Sequence, residues 1–233
     1  MSHTTTPCRV AIAGSGAGSN ARALIAYSKN YAHSDYTVDV VITTTETAGI
    51  VGVAEEHRIP YRVLTSRVSE EMANQFCAIL DEFTIDVLAL AGFLRLLPTS
   101  VIQHIRGNVL NIHPSLLPRH GGKGMYGRRV HEAVIDSGDQ ETGATVHLVT
   151  ENYDEGQIVD SERFVIPPGI SAADLESLVR HTEHRLYPRA LQNYCLQRKS
   201  RQEADSERFL RPGLTTICLP LAVTFSGAYC CYA

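Results

Sequence analysis

Arg9-Val10-Ala11-Ile12-Ala13-Gly14-Ser15-Gly16-Ala17-Gly18-Ser19-Asn20 is an apolar run that stops in a glycine loop. Residues 21–28 behind it have helix-forming composition, so the stretch reads strand, loop, helix. The alternation continues outward from it. Apolar runs at 37–43, 61–64 and 86–91 are separated by helical patterns at 48–57 and 69–83. Strands divided by helices form right-handed crossovers, which implies an α/β chain with a mostly parallel, twisted sheet and helices on both faces. Farther on, a short helix after Leu97-Pro98 leads to a strand at 109–112, a helix at 128–137, and strands at 142–149 and 157–165. Ser171 is the expected N-cap of a last long helix, with Asp174 as its capping-box partner.

That helix is expected to run towards Lys199. From 200 to 211 charge is dense and apolar periodicity disappears, which places a domain edge near Lys199: residues 1–199 form the main domain and 200–233 a tail expected to be poorly ordered. The uncharged end, 212–233, is long enough to raise a membrane anchor, but Pro220, Gly227 and several Thr and Ser argue against a spanning helix.

With 44% hydrophobic and 20% charged residues among 233, the composition is that of a globular chain able to bury a sizeable core. The formal charge of −4 gives no basic footprint, so nucleic acid and anionic membranes are poor partners and a small molecule is the better expectation. The six cysteines show no CxxC pair, and residues 1–7 are polar without a basic and then apolar leader; a reduced, cytoplasmic setting follows as the expectation.

Three segments carry candidate chemistry. Gly18, Ser19 and Asn20 stand where a helix begins, with exposed N–H groups and the positive end of the dipole, a place suited to phosphate. The loop is neither a Walker loop nor GxGxxG, since Ser19 occupies the third glycine's place. The second segment, Gly92-Phe93-Leu94-Arg95-Leu96-Leu97, follows a strand apolar on both faces, where ligands of parallel sheets bind; the alternative is a turn that packs Phe93 and Leu96 in the core. In the third, Asn111-Ile112-His113-Pro114-Ser115-Leu116-Leu117-Pro118, strand alternation turns Asn111 and His113 the same way. An amide that donates to an oxyanion and an imidazole that carries a proton are what acyl-type transfer needs at one carbon. Downstream, Asp154 lies in an acidic loop from which a carboxylate can orient that imidazole, although Asp154 followed by Gly156 also reads as an Asx turn. His131-Glu132 and His181 with His184 lack the spacing of a zinc site, so no metal is expected.

Taken in order, Gly16 to Asn20, Leu90 to Arg95, Asn111 to Pro118, Gly143 to His147, Tyr153 to Gly156, and Glu183-His184 ahead of Tyr187-Pro188 resemble the folate-dependent formyltransferases, above all the branch acting on glycinamide ribonucleotide. The resemblance implies a Rossmann-like formyltransferase fold. It also implies transfer of the formyl group of 10-formyltetrahydrofolate, bound as co-substrate, to the amine of 5-phosphoribosylglycinamide in purine synthesis.

By this resemblance Asn111, His113 and Asp154 are catalytic. Gly18, Ser19 and Asn20 hold the substrate phosphate, and Arg180, His181, Thr182 and Glu183 contact the same molecule, with Glu183 near its amine. The folate lies against Leu94, Arg95, Leu96 and Leu97, Asn111, and the loop Thr150, Glu151, Asn152, Tyr153 and Asp154, with Arg67 a candidate for its glutamate tail. The chain is expected to act as a monomer or homodimer. Rival readings are a sugar-nucleotide formyltransferase, a formyltetrahydrofolate deformylase, and a non-catalytic homologue that binds nucleotide or folate.

Overall fold

The computed structural model describes residues 6–31 and 34–210, with side chains as far as residue 204. Its elements run β1 (Cys8–Ala13), α1 (Ser19–Asn30), β2 (Tyr36–Thr43), α2 (Gly49–His57), β3 (Tyr61–Val63), α3 (Ser69–Glu82), β4 (Val87–Leu90), α4 (Thr99–His104), β5 (Val109–His113), α5 (Arg128–Asp136), β6 (Glu141–Leu148), β7 (Ile158–Val165) and α6 (Ala172–Leu210). The strands form one sheet in the order β3-β2-β1-β4-β5-β6-β7. β1 to β5 pair in parallel, and β6 and β7 add an antiparallel edge. The architecture is the α/β class with a mostly parallel sheet.

Alternation along the central strands explains why both faces are covered. Val10 and Ile12 pack on one side with Leu24, Ile50, Leu175 and Leu186, from α1, α2 and α6. Ala11 and Ala13 pack on the other with Phe76, Phe93 and Val101, from α3, the loop after β4, and α4. A strand buried on both faces reads as a continuous apolar run, as 9–13 and 86–91 do.

After β1 the chain builds outward through β2 and β3, then returns to place β4 on β1's other side. The loops leaving the carboxyl ends of β1 and β4 therefore diverge and leave a crevice, where ligands of open α/β sheets bind. Gly18 lets the first loop turn: its φ is +81°, and an added Cβ would lie 2.7 Å from Ile50 Cα. Tyr187 of α6 ties that helix to the two central strands β4 and β5. Its buried hydroxyl lies 3.0 Å from the Leu90 carbonyl of β4 and 3.1 Å from the Leu110 carbonyl of β5.

Backbone contacts divide the chain into residues 1–199 and 200–233. In the first, the Ser171 cap is present, with Oγ accepting from the Asp174 N–H and donating to its carboxylate. In the second, the helix continues to Leu210 rather than ending near Lys199. Residues 200–210 include two Arg, two Glu, a Gln, an Ala and a Leu and hold no Gly or Pro, so helix propensity persists where amphipathic periodicity has ended. The remaining tail, 211–233, including the stretch weighed as an anchor, lies outside the described residues. No helix among the described residues is long and apolar enough to cross a membrane.

Candidate active site

A cleft of about 540 Å³ opens at the carboxyl ends of β1, β4 and β5. Asn111 and His113 reach it from the end of β5, and Asp154 from the loop between β6 and β7. The loop after β5 is pinned by Thr145 of β6, whose hydroxyl donates to the Ser115 carbonyl at 2.7 Å and accepts from the Leu117 N–H at 3.1 Å. That anchoring brings the His120 carbonyl within 2.8 Å of His113 Nε2, so Nε2 carries the imidazole's hydrogen. Nδ1 is left bare, 3.5 Å from Asp154 Oδ2.

Asp154 stands between two imidazoles, because its Oδ1 lies 3.5 Å from Nε2 of His147. The Gly122 N–H donates to Oδ2 at 2.9 Å. The Asp154 carboxylate is thus engaged with Gly122, 32 positions away, and not in a local Asx turn. The backbone of Asp154 is left-handed, with φ +58°, a conformation Asp tolerates better than most residues and one that collects at functional sites.

Burial by itself raises the Asp154 carboxyl. The neighbouring His147 and His113 rings and the Gly122 N–H outweigh it and hold the group below the usual carboxylate range. Burial pushes His113 the opposite way, below the usual imidazole range, against the pull of Asp154. The resting pair is therefore a carboxylate beside a neutral imidazole whose free nitrogen faces it.

Asn111 completes the group. Its Nδ2 lies 3.1 Å from His147 Nε2, while His147 Nδ1 lies 2.9 Å from the Leu148 carbonyl and so carries the hydrogen of the neutral ring. His147 Nε2 then accepts from one Asn111 N–H. The amide's second hydrogen remains for a ligand.

At the other end of the cleft, Asn20 Nδ2 donates to Glu183 Oε2 at 3.0 Å. Burial drives Glu183 up to about 7, opposed by the Asn20 hydrogen bond and the charge of Arg180. Asn20 Oδ1 is buried without a hydrogen-bond partner among the described residues. The Leu94 to Leu97 segment and Val149 add an apolar wall to the lining, against which a flat ring system can lie.

The remaining expected residues divide by geometry. Arg180 and Glu183 line the cleft together with Glu176 and Val179, one face of α6. His181 turns outward with its ring on the Ser177 carbonyl, and Thr182 turns inward, its hydroxyl donating to the Leu178 carbonyl; neither lines the cleft. From the glycine loop the lining takes Gly16 and Asn20, not Gly18 or Ser19. Thr150, Asn152 and Tyr153 line it, whereas Glu151 and the exposed Arg67 do not. Phe93 is buried edge-on against Phe76, but Leu97 takes the core position weighed for Leu96, which is 44% exposed.

Sequence reasoning left His147 without a role. It ends a strand whose alternate members Gly143 and Thr145 face the same way, but only its pairing with Asn111 across the sheet marks it. Glu176, His131 and the 122–127 loop were also missed as lining residues.

Residues 8–191 match the family described as formyl transferase. The chain belongs to that family. Among its curated relatives is the chloroplastic phosphoribosylglycinamide formyltransferase of Vigna unguiculata, 36% identical over 194 residues, covering 82% of this chain and 62% of the relative. Another is the human trifunctional purine biosynthetic protein adenosine-3, 37% identical over 187 residues, covering 79% of this chain and 18% of that protein. The chain thus spans under two thirds of the first and under a fifth of the second. Among solved structures, the phosphoribosylglycinamide formyltransferase of Brucella melitensis superposes with a TM-score of 0.75 at 36% identity, covering 82% of this chain and 96% of that one. This formyl transferase shares its fold.

Proposed function

We propose that the chain transfers the formyl group of 10-formyltetrahydrofolate to the amine of 5-phosphoribosylglycinamide in purine biosynthesis. The observation that carries the reading is the meeting of Asn111, His113, Asp154 and His147 in one cleft whose two ends differ in chemistry. The apolar wall at Leu94 to Leu97 suits the folate ring, and Asn20 with Glu183 suits the polar ribonucleotide. The names of the relatives support the choice of substrate.

In this reading the substrate amine attacks the formyl carbon and the carbonyl electrons move onto oxygen, where the free Asn111 N–H donates to the oxyanion. The proton shed by the amine passes to His113 Nδ1, and Asp154 at 3.5 Å stabilises the imidazolium. Collapse of the tetrahedral intermediate breaks the bond to the folate nitrogen, which takes that proton. His147 fixes the Asn111 amide by accepting its other hydrogen. On the same reading the enzyme works in the cytoplasm on small molecules, as a monomer or homodimer.

The test follows folate product by absorbance, with and without glycinamide ribonucleotide. Amine-dependent release supports the transferase. Release without amine makes the chain a deformylase, and no release under either condition makes it a binding homologue.

A further inference from the structure

His131 on α5 is 2% exposed, and its Nδ1 is buried without a hydrogen-bond partner among the described residues. A buried polar atom left unpaired costs roughly 1–3 kcal/mol, and nothing in the fold requires a histidine there, since its neighbours Val130 and Val134 on the buried face of α5 are apolar. Yet the ring forms part of the cleft wall. It interacts electrostatically with Glu176 and Arg180 on one side and with His113 on the other, so it stands between the α6 side of the cleft and the proton-carrying imidazole.

The charges around it select the kind of partner. Glu176 is paired to Arg180 at 2.8 Å and lies 3.7 Å from Arg128 Nε, which places a carboxylate beside His131 and turns both nearby guanidinium groups towards it. With those charges already engaged with one another, an uncharged donor or acceptor suits the ring, and a 180° flip of the ring exchanges Nδ1 for Cδ2 without changing its shape.

We propose that His131 is a substrate-binding residue that hydrogen-bonds the uncharged amide joining the aminoacetyl unit of the ribonucleotide to its sugar, the group next to the attacking amine. The inference rests on the proposed formyl transfer to glycinamide ribonucleotide and names the contact that places that amine. It makes His131 a determinant of which amines are accepted, because a simple amine lacks the adjoining amide.

The experiment compares wild type, His131→Phe and His131→Asn by calorimetric titration with 5-phosphoribosylglycinamide, by steady-state kinetics in both substrates, and by thermal melting. His131→Phe is expected to weaken ribonucleotide binding and raise its KM by about tenfold or more, with the folate KM unchanged. It should melt at or above the wild-type temperature, since an unpaired polar atom is removed. His131→Asn, which keeps a hydrogen-bonding group, should recover part of the affinity.

Unchanged ribonucleotide affinity in both variants overturns the inference and leaves the formyl-transfer reading standing. Lower melting of both variants with no selective loss for the ribonucleotide makes His131 structural and also overturns it. Wild type that neither binds nor formylates the ribonucleotide sinks the reading and the inference together.

Discussion

Asn111 of β5 faces His147 of β6 directly across the antiparallel pair, and their side chains meet at 3.1 Å between Nδ2 and Nε2. The amide is therefore held in one orientation before any ligand arrives. Preorganisation of this kind gives an oxyanion donor its effect, because no reorientation is needed as charge develops.

Replacing that donor tests the assignment. Asn111→Ala is expected to lower kcat by about 10²- to 10³-fold, and His113→Ala by about 10²- to 10⁴-fold. Turnover with glycinamide ribonucleotide, measured beside thermal melting, checks both. Undiminished turnover in either folded variant removes that residue from the mechanism.

His147→Phe keeps the ring's bulk but takes away the acceptor that fixes Asn111. The expected result is a fall in kcat with little change in either KM, since the amide still reaches the ligand but no longer in one orientation. A fall as large as that of Asn111→Ala would show that His147 does more than position.

Asp154→Asn is the conservative change at this position, because Asn also accepts φ +58°. Turnover should drop and the basic group seen in the pH–rate profile should move to lower pH, since the imidazolium loses its counter-charge. The same variant tests a stability effect. A carboxyl held below its unfolded value contributes stability that is present above the unfolded pKa and is lost as pH falls through the lower folded value. Wild type should therefore lose melting temperature on acidification below about pH 4 more steeply than Asp154→Asn, which chemical-shift or melting series across that range will show.

Glu183 shifts the other way, up to about 7. Its folded form holds a proton that the unfolded form releases, so its contribution to stability is full at acid pH and declines as pH rises from the usual carboxylate range towards 7. On the proposed function, its charged form attracts the substrate ammonium. Ribonucleotide affinity should accordingly rise between pH 6 and 8, and Glu183→Gln should abolish that rise; a titration series over this interval decides it.

Gly156 closes the loop that carries Asp154, and a Cβ added there would lie 1.7 Å from the Leu148 carbonyl oxygen. Gly156→Ala must displace backbone on one side or the other. It is expected to lower the melting temperature by several degrees and to cut turnover through movement of Asp154, with both effects read on the same sample. A variant with wild-type melting would mean that the loop relaxes freely.

How much of this was legible beforehand follows the range of the interactions. The alternation of apolar runs and helical patterns is local, and it located the parallel sheet and the crevice after β1 and β4. Strand parity alone put Asn111 and His113 on one face. The pairing of His147 with Asn111 depends on how β6 docks against β5, a contact between residues 36 apart that no local pattern encodes. For the same reason the Asx turn at Asp154 was a reasonable reading, yet the carboxylate reaches instead to Gly122. On α6 the sequence offers the whole stretch Arg180 to Glu183, but a helix turns 100° per residue, so only its first and last members can share a wall. The extension of α6 to Leu210 went unread because propensity outlasts amphipathicity there.

The antiparallel placement of β6 also dictates which errors the gene can survive. Side chains on a strand change faces at every step, so one residue inserted within β6 ahead of His147 would set an aliphatic neighbour opposite Asn111 and send the imidazole through to the far side of the sheet. No polar group would have been deleted, and the catalyst would still be dismantled.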